Sequence, residues 1–276
     1  MASTETVLQN NSLHLFPPSY HYSINDLLFE NKSFPQKISI ILPCYNEAKT
    51  ILQVVNKIQQ LNLPLYEIIV VDDASTDGSF KLLEGKEHVK TFRHRINQGY
   101  GKTLLDGIFQ STGDVIITMD SDGQHDPRDI PTLCKAILEN EADFVIGSRY
   151  HGKYCYSLPL TNRIGEAFIE IMIKVLFNET IQNNQGGFRV FNRKALSIFQ
   201  DIKFDGMAFT TELIMKAKIQ NLRINSSPIH LYGRIEGKSR VKKLPLLINI
   251  LRSFFIYGLR YYDINIQKIP FFRSKE

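Results

Sequence analysis

The chain is 276 residues long, 43% hydrophobic and 22% charged, which suits one α/β domain with a sizeable core and excludes bulk disorder. A net charge of +5 is too mild to make nucleic acid an expected partner. Cys44, Cys134 and Cys155 are odd in number and scattered, so they form neither a disulfide framework nor a zinc motif, and they fit a reducing, cytoplasmic compartment.

No basic segment followed by an apolar run opens the chain, so no signal peptide is expected. Residues 1–36 are polar, sprinkled with aromatics and broken by Pro17, Pro18 and Pro35, and read as an N-terminal extension. From Ile38 the pattern changes. Ile38–Leu42, Glu67–Val71, Val115–Met119 and Phe144–Ile146 are short apolar, β-branched runs that suit strands covered on both faces. Helical patterns separate them at Ala48–Gln60, Ser79–Glu84, Tyr100–Gln110 and Ile130–Glu139. Strands alternating with helices predict an α/β fold with a mainly parallel central sheet flanked by helices.

Ligands in such sheets bind beyond the carboxyl ends of the strands, so the residues after each strand carry the functional signal. Pro43-Cys44-Tyr45-Asn46-Glu47 follows the first run, and Asp72-Asp73-Ala74-Ser75-Thr76-Asp77-Gly78 the second. Asp120-Ser121-Asp122-Gly123-Gln124-His125-Asp126-Pro127 follows Met119, and Gly147-Ser148-Arg149-Tyr150 follows Ile146. Asp77 and Asp126 also read as helix caps, with Pro127 in a first turn. Asp120 and Asp122 on a tight loop would repel each other, which makes a cation the natural third party. With the amide oxygen of Gln124 they form a hard oxygen set for Mg²⁺ or Mn²⁺.

Together with Asn97-Gln98-Gly99-Tyr100-Gly101-Lys102, these motifs resemble family 2 glycosyltransferases of the GT-A fold. The sequence is most similar to polyprenyl- (dolichyl-) phosphate hexosyltransferases, through Asp120-x-Asp122-x-Gln124, Gly147-Ser148-Arg149 and the late Arg234-Ile235-Glu236-Gly237-Lys238-Ser239-Arg240. The resemblance covers roughly residues 37–243. It implies that Pro43, Tyr45, Glu47 and Asp73 hold the nucleoside, and that Asp120, Asp122 and Gln124 hold the metal and, through it, the diphosphate. It implies that Arg149, Arg163, Arg234, Ser239 and Arg240 bind donor and acceptor phosphates, a role the planar guanidinium fork suits. Asp122, Arg149 and Arg234 are the expected catalytic residues.

The implied reaction is inverting, metal-dependent transfer of a hexose to a polyprenyl or dolichyl phosphate. A phosphate monoester is largely a dianion near neutral pH and needs no dedicated base. The resemblance favours GDP-mannose as donor and leaves UDP-glucose and UDP-N-acetylhexosamine open. One alternative keeps the fold but takes a saccharide or protein hydroxyl as acceptor. Glu212 would then be the base, although it also reads as a helix first-turn acid. A second alternative is a catalytically silent subunit that binds nucleotide sugar, against which the intact Asp120/Asp122/Gln124 set argues.

Two segments fit a lipid acceptor. Phe168, Ile171, Met172, Val175 and Leu176 share a helical face in Ala167–Phe177, and Leu247, Leu251, Phe254, Phe255 and Leu259 do so in Leu244–Tyr262. Lys238, Arg240, Lys242 and Lys243 precede the second, a pattern that predicts peripheral binding at an anionic membrane surface. The Leu244–Leu259 run is short for a span, and Arg252 within it would cost about 2.5–3.5 kcal/mol at a bilayer centre. The expected organisation is therefore an extension (1–36), a GT-A domain (37–243) and an amphipathic interfacial tail (244–276). Many family members continue into transmembrane helices. Here either the amphipathic helices suffice for attachment or a separate membrane-anchoring subunit holds the enzyme.

Overall fold

The computed structural model describes residues 37–61, 63, 66–154, 160–204, 206–234 and 243–268. The N-terminal extension, Cys155 and the basic stretch Lys238–Lys242 lie outside the described residues.

Seven strands form one sheet: β1 (Ile38–Cys44), β2 (Tyr66–Asp72), β3 (Val89–Arg93), β4 (Val115–Thr118), β5 (Phe144–Tyr154), β6 (Arg189–Asn192) and β7 (Ile224–Leu231). Their spatial order is β3-β2-β1-β4-β6-β5-β7. Parallel pairs join β3 to β2, β2 to β1 and β1 to β4. β6 runs antiparallel between β4 and β5, and β7 lies parallel to β5 at the far edge. The central strands are buried on both faces, which explains why β1, β2 and β4 read as unbroken apolar runs.

Among the described residues the helices are α1 (Ile51–Gln59), α2 (Tyr100–Phe109), α3 (Ile130–Leu138), α4 (Leu160–Phe177), α5 (Phe209–Ile219) and α6 (Lys243–Lys268). Three departures from expectation have physical causes. The expected Ser79–Glu84 helix is a single 3₁₀ turn, Lys81–Leu83. β3 carries half-buried edge residues, and β7 is a polar edge strand with Pro228, so neither shows a continuous apolar run. β6 is four residues long, and Arg189 opens it.

α5 is buried from Phe209 to Ala217, sandwiched within the core cluster that also takes Ile250, Phe254 and Tyr257 of α6. Phe254 therefore faces inward, correcting its place on the expected outer stripe, while Leu247, Leu251, Phe255 and Leu259 remain exposed. α6 begins at Lys243. On α4, Ile169, Ile173 and Phe177 face the core, and Phe168, Ile171 and Val175 face outward. The two helices lie side by side: Phe177 meets Tyr261 edge-on with ring centroids 4.8 Å apart, and Lys243 Nζ donates to Thr161 Oγ1 at 2.8 Å. No helix among the described residues is long and apolar enough to cross a membrane.

Candidate active site

A cleft of about 620 Å³ opens at the carboxyl ends of β1, β2 and β4. Its walls are assembled by loops that hold one another. Asn46, in the left-handed region at φ 56°, donates its N–H to Ser75 Oγ at 2.8 Å and accepts Thr76 N–H on Oδ1 at 2.7 Å. Glu47 N–H and Ala48 N–H donate to Ser79 Oγ and Asp77 Oδ2, each at 2.9 Å. The loops after β1 and β2 are thereby zipped together, which sets Pro43, Tyr45 and Glu47 along the cleft. Asn suits the turn because its short polar side chain tolerates the left-handed conformation.

Asp73 also lines the cleft, and its carboxylate holds the loop that leads into α2. Oδ1 accepts Gln98 N–H at 2.7 Å and lies 2.7 Å from His94 Nδ1, while Oδ2 accepts Gly99 N–H at 2.9 Å. It thus holds the start of α2, where its charge complements the helix dipole. Gly99 has φ 90°, a conformation that requires glycine there. This anchoring aims Tyr100, the first residue of α2, so that its hydroxyl donates to Asp120 Oδ1 at 2.9 Å.

Asp120 and Asp122 lie on the loop after β4 and both line the cleft. Ser121 Oγ ties that loop to Pro43 O at 2.6 Å. Gln124 donates Nε2–H to Tyr232 O at 3.0 Å and accepts Tyr232 N–H on its backbone oxygen at 2.9 Å, which joins the loop to the end of β7. Just beyond, Arg234 Nη2 donates to Asp122 Oδ2 at 2.6 Å. Burial raises the Asp120 carboxyl above its ordinary range; the charge of Asp122 adds to that, and His125 and Tyr100 oppose it. The side chain of Asp122 is 6% exposed. Such an acidic pair demands a cation, and the guanidinium of Arg234 fills that place here. The residues therefore fit a divalent ion: two carboxylates, with the Gln124 amide turned so that Nε2 is used on backbone and Oε1 is left to serve as a hard oxygen ligand.

Arg149 lines the same cleft and is paired with Glu166 on α4. Arg163 does not line it. Its guanidinium lies 4.5 Å from the centroid of the Tyr150 ring, which the Arg149 guanidinium also approaches at 5.2 Å, and 3.0 Å from Glu170 Oε1, so it stands beside Arg149 just outside the cleft wall. Ser239 and Arg240 lie outside the described residues. Glu212 is 0% exposed, absent from the cleft wall, and accepts hydrogen bonds from Lys203 N–H, Phe204 N–H and the hydroxyl of Tyr257. It fastens α5 to α6 and a neighbouring loop. A base role for it is corrected on that ground.

Sequence reasoning missed the segment before β6. The carbonyl of Gly187 accepts Thr118 Oγ1–H at 2.8 Å, and a Cβ on Gly187 would stand 2.5 Å from Asp120 Oδ1, so only glycine lets this backbone reach the acidic loop. Arg189, fully buried, holds the segment by donating to the carbonyls of Asn184, Gly186 and Thr210 at 2.7–2.8 Å. Burial lowers its pKa to about 10. The Gly186-Gly187 pair before a short apolar run was the available signal.

A model of the family described as glycosyl transferase family 2 matches residues 39–199. The UDP-N-acetylglucosamine–dolichyl-phosphate N-acetylglucosaminyltransferase of Methanococcus voltae is 30% identical over 213 residues, spanning 70% of this chain and 84% of its own. The low-salt glycan biosynthesis hexosyltransferase Agl6 of Haloferax volcanii is 27% identical over 230 residues, which are 82% of this chain and 55% of that protein. Among solved structures, glucosyl-3-phosphoglycerate synthase from Mycobacterium tuberculosis, in complex with Mn²⁺, UDP-glucose and phosphoglyceric acid, superposes with a TM-score of 0.67. At 20% identity, covering 88% of this chain and 86% of that one, the likeness shows a shared GT-A fold.

Proposed function

The chain belongs to glycosyl transferase family 2, and on that premise we propose that it moves one hexose or N-acetylhexosamine from a nucleotide sugar to a polyprenyl phosphate. The observation that carries this reading is the pairing, in one cleft, of the acidic Asp120/Asp122 loop with two arginines, Arg149 and Arg234. A donor diphosphate and an acceptor phosphate are both anions, and that cleft offers cationic forks beside a cation-binding acidic pair.

Pro43, Tyr45 and Glu47 would flank the nucleoside, and Asp73 would support it by fixing the Gln98-Gly99 turn. Asp120, Asp122 and Gln124 Oε1 would hold Mg²⁺ or Mn²⁺, which supplies Lewis-acid neutralisation of the leaving diphosphate. Arg149 and Arg234 would orient the acceptor phosphate so that its oxygen attacks the anomeric carbon and inverts it. The attacking dianion needs no base. The burial of Glu212 among three donors supports a phosphate acceptor over a hydroxyl one. The uridine nucleotides named for the Methanococcus and Mycobacterium proteins weigh towards a UDP-sugar over GDP-mannose. Exposed apolar residues on α4 and α6, with Lys243 beside them, support peripheral attachment at the cytoplasmic face of a membrane that carries the lipid acceptor.

A panel of GDP-mannose, UDP-glucose and UDP-N-acetylglucosamine with a short polyprenyl phosphate and Mn²⁺ tests this directly. Transfer from one donor to the lipid phosphate is expected. Transfer to saccharide hydroxyls alone would replace the acceptor assignment, and nucleotide binding without turnover would favour a silent subunit.

A further inference from the structure

The two arginines of the cleft differ in where their carboxylate partners lie. Arg149 is paired with Glu166, a residue of α4 that does not line the cleft, so its partner belongs to the scaffold. Arg234 is paired with Asp122, itself a cleft residue and a proposed cation ligand, with Nη2 2.6 Å from Oδ2. A divalent ion on Oδ2 would set its charge directly beside the guanidinium, and the repulsion of the two cations makes them compete for this carboxylate. The other oxygen, Oδ1, accepts the Gln124 N–H at 3.1 Å, which keeps the carboxylate in place during an exchange. The Arg234 side chain is 31% exposed, against 10% for Arg149, so water and neighbouring anions can reach it where it stands.

From this geometry we infer that Arg234 is an exchangeable counterion: a divalent cation displaces it from Asp122, and the displaced guanidinium then takes an acceptor phosphate. The inference rests on the metal and phosphate assignments proposed above. It orders binding, because acceptor phosphate meets an available Arg234 only after the cation has arrived. By linkage, cation and phosphate then raise each other's affinity by the same factor. Arg149 has no part in the exchange, since its carboxylate partner is never offered to a cation.

The test is Mn²⁺ binding to the full chain without nucleotide, read by calorimetry and by the paramagnetic signal of unbound Mn²⁺. If the Arg234–Asp122 pair is closed in about nine molecules of ten, Arg234→Gln should bind Mn²⁺ about tenfold more tightly. Arg149→Gln should change Mn²⁺ affinity by less than about twofold, and Arg234→Lys should fall between wild type and Arg234→Gln. Asp122→Asn should abolish the binding in every background. A short-chain prenyl phosphate should bind the wild type more tightly with Mn²⁺ present, and Arg234→Gln should lose that coupling. Melting curves check that each variant folds, and the coupling in unaltered protein stands even where a variant does not. No gain in Arg234→Gln, equal gains in both arginine variants, or absent coupling in wild type would each overturn the exchange. In those cases Mn²⁺ binding with UDP would still support the metal assignment; no Mn²⁺ binding with or without UDP removes both.

Discussion

Arg149 on β5 and Glu166 on α4 form an ion pair in which each side chain is 10% exposed, and the hydroxyl of Tyr150 donates to the second oxygen of the same carboxylate. The pair fixes a cleft arginine to a helix whose far face is apolar and exposed. Removing one partner of such a pair leaves an uncompensated buried charge, so Glu166→Ala should lose about 3–5 kcal/mol of stability. Glu166→Gln keeps the shape and discards the charge. It should raise the acceptor KM about tenfold, the worth of one charge-assisted hydrogen bond, with UDP affinity unchanged. Acceptor kinetics beside nucleotide calorimetry decide it; equal losses in both would make Glu166 a purely structural residue.

Asp122→Ala should abolish transfer while leaving the fold nearly intact, because the residue sits on a strand-end loop and not in the hydrophobic core. Turnover with Mg²⁺ or Mn²⁺ and the melting temperature are the two readings required. Near-normal turnover, or full activity in excess EDTA, would remove the metal assignment.

Truncating either cleft arginine to Ala should weaken use of the phosphate acceptor by at least about tenfold while nucleoside diphosphate binding holds. Arg149→Ala carries an added stability loss, because Glu166 is then buried without its cation, whereas Arg234→Ala leaves Asp122 to a metal ion. Equal losses for donor and acceptor would mean that these arginines serve the donor.

Much of this site was legible because parallel strands deliver their loops to one edge. Tyr45, Asp73, Asp122 and Arg149 each follow an apolar run that marks a strand, and all four line the cleft. The antiparallel insertion of β6 was not legible, since four residues opening on a buried arginine resemble neither strand nor helix. With β6 hidden, the approach of Gly187 to Asp120 was hidden too. Glu212 misled for a different reason: a carboxylate in a first helical turn looks the same whether it meets solvent, substrate or the hydroxyl of Tyr257. Phe254 misled because α6 is apolar on two faces, so a helical stripe drawn from spacing alone mixes core and surface.

Glu67 supplies a pH test of the sheet edge remote from the site. Burial pushes its carboxyl up, but hydrogen bonds from Lys90, Ser39 and Thr112 prevail and hold it at about 2 against an ordinary value of 4.5. Its folded pKa is depressed, so the stabilisation is complete above about pH 4.5 and is lost as pH falls towards about 2. With Lys90 half exposed and screened by solvent, about 2 kcal/mol is a fair expectation. Urea unfolding of wild type and Glu67→Gln at pH 7 and pH 3 measures it. The gap between them should narrow at the lower pH, and a constant gap would sink the assignment.

Membrane attachment can be separated from folding because α6 presents different residues inward and outward. Leu251, Phe255 and Leu259 are 44%, 70% and 59% exposed, so replacing all three with Gln should cost little stability. The same triple variant should lose binding to anionic vesicles, since the apolar contribution to interfacial attachment scales with the area buried in the bilayer boundary. Ile250, Phe254 and Tyr257 are at most 3% exposed and pack on α5, so truncation before Leu244 should unfold the protein. Losing three large core side chains exceeds what a marginally stable domain tolerates, at about 2–5 kcal/mol for each. Replacing Lys238, Arg240, Lys242 and Lys243 with Gln should weaken vesicle binding further, by about 1 kcal/mol for each residue that reaches the surface. High salt should release the wild type incompletely, because screening spares the apolar contact. Sedimentation with vesicles alongside melting curves reads both properties at once. If the triple variant pellets like wild type, the contact lies on Ile164, Phe168, Ile171 and Val175 of α4, and the interfacial role of α6 is withdrawn.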